Sequence, residues 1–232
     1  MSVRKAKVAG NARQRFSTEE RQDEIVRAAV DLAGTQGVDN VTTQGIAEVI
    51  GVTQGAIFRH FPSKDTIWIA VVHWVRGRLM SVVDMAASRA SDPLDAVERI
   101  FYAHIGFAEK NPAVPRLLLT TSPRLKQLLQ DMLAAYEAKL TGLLGEAKAQ
   151  GLVRSDLDEQ GAAALFVGIV QGLVTRVLIL GPKKSLIGEA KKVFPIYLAG
   201  IGGRSVHDAR SKAGRQVPRT VRVFQSTKEH ES

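Results

Sequence analysis

The sequence predicts an all-α protein: a three-helix domain containing a helix-turn-helix, followed by a larger helical domain. Three observations predict it. Apolar residues recur at helical spacing through most of the chain. The periodic runs open on Ser, Thr or Asp and close on Gly or Asn-Pro, the residues that cap and stop helices. No run alternates with strand period over a useful length, and no segment repeats.

The elements follow in order. Ser17 or Thr18 starts a helix that reaches about Thr35, and Glu20 completes its capping box. Ile25, Ala28, Ala29, Leu32 and Ala33 share its inner face, and Gly37 ends it. Thr42 or Thr43 caps a second helix with Ile46, Ala47 and Ile50 inward. Gly51 supplies the left-handed conformation that ends a helix without steric cost. Val52 can pack into the angle that follows. Thr53 caps a third helix to about His60, with Ala56, Ile57 and Phe61 inward, and Pro62 stops it. Ser63 opens a long helix to about Ala90, with Lys64 in its first turn and Ile67, Trp68, Val71, Val72, Val75 and Leu79 along it.

Asp92-Pro93 begins a helix to about Lys110, by cap and N1 proline. A short helix is expected from Pro115 through Thr120. Ser122-Pro123 starts a long helix to about Gln150. Asp156 or Asp158 opens another to Leu180, closed by Gly181-Pro182, and a last one covers about Ser185 to Ala199. The expected organisation is a basic disordered arm (1–16), a helix-turn-helix domain (17–62), a helical body (63–201) and a basic, disordered tail (202–232).

Two short helices set at an angle by a glycine turn form a helix-turn-helix, whose second helix enters the DNA major groove N-terminus first. Here that end carries Thr53, Gln54 and Gly55, and the exposed side carries Phe58, Arg59 and His60. Gln can pair in bidentate fashion with adenine, and Arg can reach guanine or phosphate. Gly55 lets the backbone come close to DNA.

The stretch Thr42-Thr43, Ile46-Ala47, Gly51-Val52-Thr53, Gly55, Phe58-Arg59-His60-Phe61 and Ser63-Lys64-Asp65 resembles, without gaps, the DNA-binding domain of the TetR (tetracycline-repressor-like) family of bacterial transcription regulators. Three positions depart from the family pattern. Gly45 stands where a polar helix former is usual, Ala56 replaces a common Thr, and Phe58 replaces a usual Tyr and its phosphate-directed hydroxyl. The resemblance implies a cytoplasmic, dimeric, ligand-responsive regulator, most often a repressor, that leaves a palindromic operator when a small molecule binds. In that arrangement Thr42, Thr43, Gln44 and Lys64 hold phosphates. Thr53, Gln54 and Gly55 face bases, and Phe58, Arg59 and His60 lie along the backbone and groove wall.

Composition sets bounds. With 45% hydrophobic and 24% charged residues the chain is ordinary for a globular protein. It has no cysteine, which excludes disulfides and thiolate metal sites. The basic N-terminus has no apolar segment of the secretory kind, and no stretch offers roughly 18 uninterrupted apolar residues, so no membrane partner is expected. The net charge of +9 sits at the ends: residues 1–17 hold five Lys/Arg and no acid, and residues 202–232 hold seven against three. Such arms add a salt-sensitive attraction to phosphate. This leaves an alternative open, a sequence-tolerant DNA-coating protein driven by its basic tails.

The helix over 158–180 is apolar on nearly every side, so one face meets its own domain and another needs a partner. With the helix over 185–199 it is expected to form a homodimer interface through Phe166, Val170, Gly172, Val174, Phe194 and Tyr197, as the resemblance also implies. Gly168 and Gly172 permit close helix contact. The residues proposed to line an effector cavity are Trp68, His73, Trp74, Phe101, Tyr102, His104, Phe107 and Phe166, a set suited to an apolar or weakly polar molecule. Neither His73 nor His104 has a second ligand three or four residues away, so no metal site is expected. No phosphate loop, paired-carboxylate motif or nucleophile elbow appears, and neither a cofactor nor an enzymatic activity is expected.

Overall fold

A computed structural model of the protein describes residues 17–115, 123–180 and 185–202. The described residues form α1 (Thr18–Gln36), α2 (Thr43–Val49), α3 (Gln54–His60), α4 (Lys64–Ala87), α5 (Pro93–Lys110), α6 (Pro123–Ala149), α7 (Glu159–Leu180) and α8 (Leu186–Ile201). The short helix expected after Pro115, the Ser122 cap and both basic tails lie outside the described residues.

Local chemistry sets the boundaries. Ser17 and Glu20 form the reciprocal capping box of α1, and Thr42, Thr53, Ser63, Asp92 and Ser185 each cap the helix that follows with a side-chain oxygen. Gly51 turns the chain between α2 and α3 at φ 68°, where a side chain would be strained. The Val52 amide then donates to the Ala47 carbonyl at 2.9 Å, closing the turn. Gly45 is a tight place in α2: a Cβ there would lie 3.2 Å from Thr42 Oγ1, the atom that caps the helix, and would press on it. The departure from the usual helix former therefore has a packing consequence beyond its low propensity.

The core is continuous from the first domain into the body. Ile25, Ala29, Val41, Ile46, Ala47 and Ile57 close α1, α2 and α3 on one another, and Ile67, Trp68 and Val71 of α4 join them. α4 packs along α5 and against α6, and α5 is central, touching α4, α6, α7 and α8. Lys139 reaches Asp84 at 2.7 Å across α6 and α4. Lys148, at the end of α6, holds the start of α7 through the Glu159 carboxylate at 2.9 Å and the Leu157 carbonyl at 2.8 Å. Glu109 accepts from the Ser185 hydroxyl and the Leu186 amide, fixing the start of α8 to the end of α5. The end of α8 is held by one antiparallel bridge, Val153 with Gly202, that sequence periodicity could not reveal. By length and hydropathy alone α4 and the Glu159–Val177 part of α7 could cross a membrane. Their apolar residues go instead to the core and, for α7, to an open face.

That open face differs from the one the sequence suggested. Phe166, Val170, Val174, Phe194 and Tyr197 are all buried inside the protomer, and of the expected set only Gly172 is exposed. The reason is the aromatic packing around α5. Phe101 stands 5.4 Å from Phe166 and 4.7 Å from Phe194, Phe166 stands 5.9 Å from Tyr197, and the Tyr197 hydroxyl donates to the Ala162 carbonyl. The heavy rings therefore turn inward. Between α7 and α8 a groove of about 520 Å³ opens outward, lined by Gly161, Leu165, Ile169, Val193, Ile196 and Gly200 among others. Leu165 is 55% and Ile196 72% exposed there.

Candidate nucleic-acid interface

The two helices after α1 are short, and tertiary contacts hold them. Ile57 is fully buried and Phe61 nearly so, which fixes the inner side of α3. On its opposite side Gln54, Gly55, Phe58 and Arg59 are exposed, with the Phe58 ring 44% open to solvent. Gln54 and Phe58 are one helical turn apart, so they share a stripe. Gln22 of α1 donates to the His60 carbonyl at 3.4 Å, tying the end of α3 to the first helix. His60 itself is half-buried, and its Nδ1 is enclosed without a hydrogen-bond partner.

The residues expected to hold phosphates divide. Thr42 and Gln44 are exposed, although the Thr42 hydroxyl already caps α2 and Gln44 donates to Glu48 at 2.8 Å. Lys64 is half-buried, with Nζ donating to the Asp39 carbonyl at 3.3 Å, and it keeps further donors. Thr43 is different: it is 8% exposed, the one buried polar residue among those described, and its hydroxyl accepts from Gln54 Nε2 at 2.8 Å. Sequence spacing could not show this, because the contact joins residues eleven apart across the turn. Thr53 is exposed and caps α3, accepting from the Ala56 amide at 3.2 Å.

Residues 25–71 match the family of bacterial regulatory proteins named tetR. Those residues carry a DNA-binding domain of the TetR type. The chain is 28% identical over 162 residues to the nucleoid occlusion factor SlmA of Vibrio cholerae, a match that spans 67% of this chain and 83% of that protein, and it is equally similar to SlmA of Vibrio atlanticus. The fold is that of solved TetR-type regulators. The fatty acid degradation regulator FadR of Bacillus halodurans superimposes with a TM-score of 0.72 at 22% identity, covering 81% of this chain and 98% of that one. FadR of Bacillus subtilis, solved with stearoyl-CoA, gives 0.70 at 21% identity over 77% and 98%.

The eight residues expected around an effector fall into separate places. His73 is exposed on α4, Trp74 is half-buried under the Arg78 guanidinium at 4.4 Å, and Trp68 sits at the junction of α4 with the first domain. Phe107 is buried on α5. Phe101, Tyr102, His104 and Phe166 do come together, and Tyr136, Phe194 and Tyr197 complete their aromatic set. Sequence reasoning left Tyr136 out; it reaches the set from α6. Its hydroxyl lies 3.0 Å from His104 Nδ1. His104 keeps some surface open, but the ring is crowded by neighbours, and burial pushes its pKa down to about 4. Burial likewise raises the Tyr136 and Tyr197 phenols. The set therefore carries no charge at neutral pH. Among the described residues no group of His, Asp or Glu could hold a metal ion.

Proposed function

We propose that the chain acts as a homodimeric, ligand-responsive transcriptional regulator, a cytoplasmic repressor that leaves a palindromic operator when a small molecule binds. The observation that carries the reading is the outer stripe of α3, where Gln54, Gly55, Phe58 and Arg59 stand free of the protein core. In this reading residues 17–62 read DNA, residues 63–201 dimerise and bind effector, and the two basic tails add non-specific attraction. Two reading heads about 34 Å apart would take two half-sites one DNA turn apart. The uncharged aromatic set around Phe101, His104 and Tyr136 suits an effector that is mostly apolar with a polar group. One structural neighbour was solved with stearoyl-CoA, whose acyl chain is apolar and whose coenzyme A portion is anionic. A ligand releases DNA only if it binds one spacing of the heads better than the other. No catalytic step and no cofactor enter this reading.

Selection of bound fragments from a genomic DNA pool at physiological salt, with footprinting of the winners, tests it. The expected result is one enriched inverted repeat. Gln54→Ala should relax base preference within each half-site, a loss of about 1–3 kcal/mol of discrimination at one position, measured by binding to single-base operator variants. Lys64→Ala should weaken operator and random DNA alike, and lower the slope of log affinity against log salt by about 1, as titration at several salt concentrations would show.

A second reading has its own support. The curated relatives matched over 162 residues are named nucleoid occlusion factors, and the chain's charge excess lies in its tails. A protein that coats DNA with little sequence preference would give no enriched repeat. Its binding would collapse as salt rises and vanish on deletion of residues 1–15 and 203–232. A specific regulator keeps its operator preference after that deletion.

A further inference from the structure

We propose that Thr43 sets base preference without touching DNA, by holding the Gln54 carboxamide in the orientation that selects adenine over guanine. The inference rests on the operator-reading function proposed for α3. Its starting point is the burial of Thr43, which is 8% exposed and accepts from Gln54 Nε2 at 2.8 Å. Thr42, not Thr43, caps α2. The Thr43 hydroxyl is thus free of the usual capping duty of a threonine at a helix start. Among the described residues no other hydrogen bond engages the Gln54 side chain.

The consequence follows from the donor and acceptor inventory of a carboxamide: one carbonyl oxygen and two N–H hydrogens. One hydrogen goes to Thr43. With the hydrogen anti to Oε1 given to Thr43, the other one and Oε1 form a donor–acceptor pair at the exposed end of the side chain. Adenine offers the matching pair in the major groove, the N7 acceptor beside the N6 amino donor. Guanine offers two acceptors, N7 and O6, and one of them would face Oε1. Without the Thr43 bond the carboxamide can rotate about Cγ–Cδ and present both hydrogens to guanine. Thr43 is therefore a positioning residue: it favours the observed orientation, with Nε2 against its hydroxyl, over the one in which glutamine tolerates guanine. Fixing the side chain beforehand also lowers the ordering cost of binding.

The test uses the full-length protein and the operator recovered by fragment selection. Each position of one half-site is varied, and affinities are measured for the wild type, Gln54→Ala, Thr43→Val and Thr43→Ser. The position where Gln54→Ala erases preference identifies the base read by Gln54. There the wild type should favour adenine over guanine by roughly tenfold or more. Thr43→Val, equal in shape but without the hydroxyl, should cut that ratio to about threefold or less. Thr43→Ser, which keeps the hydroxyl, should restore it. Affinity for random DNA and the salt slope should stay at the wild-type values in both variants, and thermal melting should show both folded. Undiminished adenine preference in Thr43→Val overturns the inference alone. So does an equal loss on all sequences, the signature of a phosphate contact, and so does a wild-type preference for guanine at that position. A wild type that enriches no sequence overturns the regulator reading, and this inference with it.

Discussion

Ile196→Glu is expected to leave the protein folded and monomeric, and to lower operator affinity by roughly 100-fold or more. Ile196 is 72% exposed on α8, so the protomer alone loses almost nothing when it changes. Its surroundings are apolar: Leu165 and Ile169 of α7 and Val193 of α8 line the same groove. The positions a Cβ would take on Gly168 and Gly172 face open space within the protomer. An outward face of this composition on a helix as apolar as α7 needs cover, and the two-fold geometry proposed for the reading heads supplies it with a second copy. A carboxylate at position 196 would be enclosed at the contact in both copies and lose its hydration, in a groove that Arg154 and Asp158 border among mostly apolar side chains. Dimerisation links the two half-site contacts, so losing it turns one bivalent binding event into two weak ones. Light scattering gives the mass, and titration with operator at fixed salt gives the affinity. A variant that keeps the dimer mass would place the dimer contact on another surface of the body.

The helices and their caps were legible because each boundary is written locally. Ser17 with Glu20, Thr53, Ser63 and Asp92-Pro93 each satisfy orphan amides within one turn, so sequence spacing alone locates them. Even the turn at Gly51 is a local matter of one left-handed residue. The side of α7 that turns inward was not legible. Apolar residues surround that helix, so periodicity offers no preferred face, and the choice is made by Phe101 on α5, which draws in Phe166 and Phe194. The same limit applied to Thr43. A pair of threonines before a helix reads as a cap and an exposed neighbour, whereas the second one is buried against a residue from the next helix. The aromatic set was half visible. Its α5 members follow from the helical stripe of α5, but Tyr136 enters from α6 and is found only when the two helices are packed.

Acid should weaken the fold through His104, in a window set by one imidazole. Burial among the helices holds its pKa at about 4 in the folded protein, against 6.5 for the exposed side chain. Between those values the unfolded chain binds a proton that the folded chain refuses, so unfolding takes up protons and stability falls as pH falls. The contribution is fully present above about pH 6.5, is lost progressively down to about pH 4, and does not fall further below that, where both states are protonated. The span of about 2.5 pH units corresponds to about 3 kcal/mol. His104→Gln keeps a hydrogen-bonding group opposite the Tyr136 hydroxyl and removes the titration. Urea unfolding at a series of pH values should give a flatter profile for this variant than for the wild type across that window. The difference between the two profiles isolates His104, because every other titratable group is common to both proteins. Profiles that run parallel would mean the imidazole is protonated in the folded state. The aromatic set would then carry a positive charge in mild acid and would favour an anionic effector over the weakly polar one proposed.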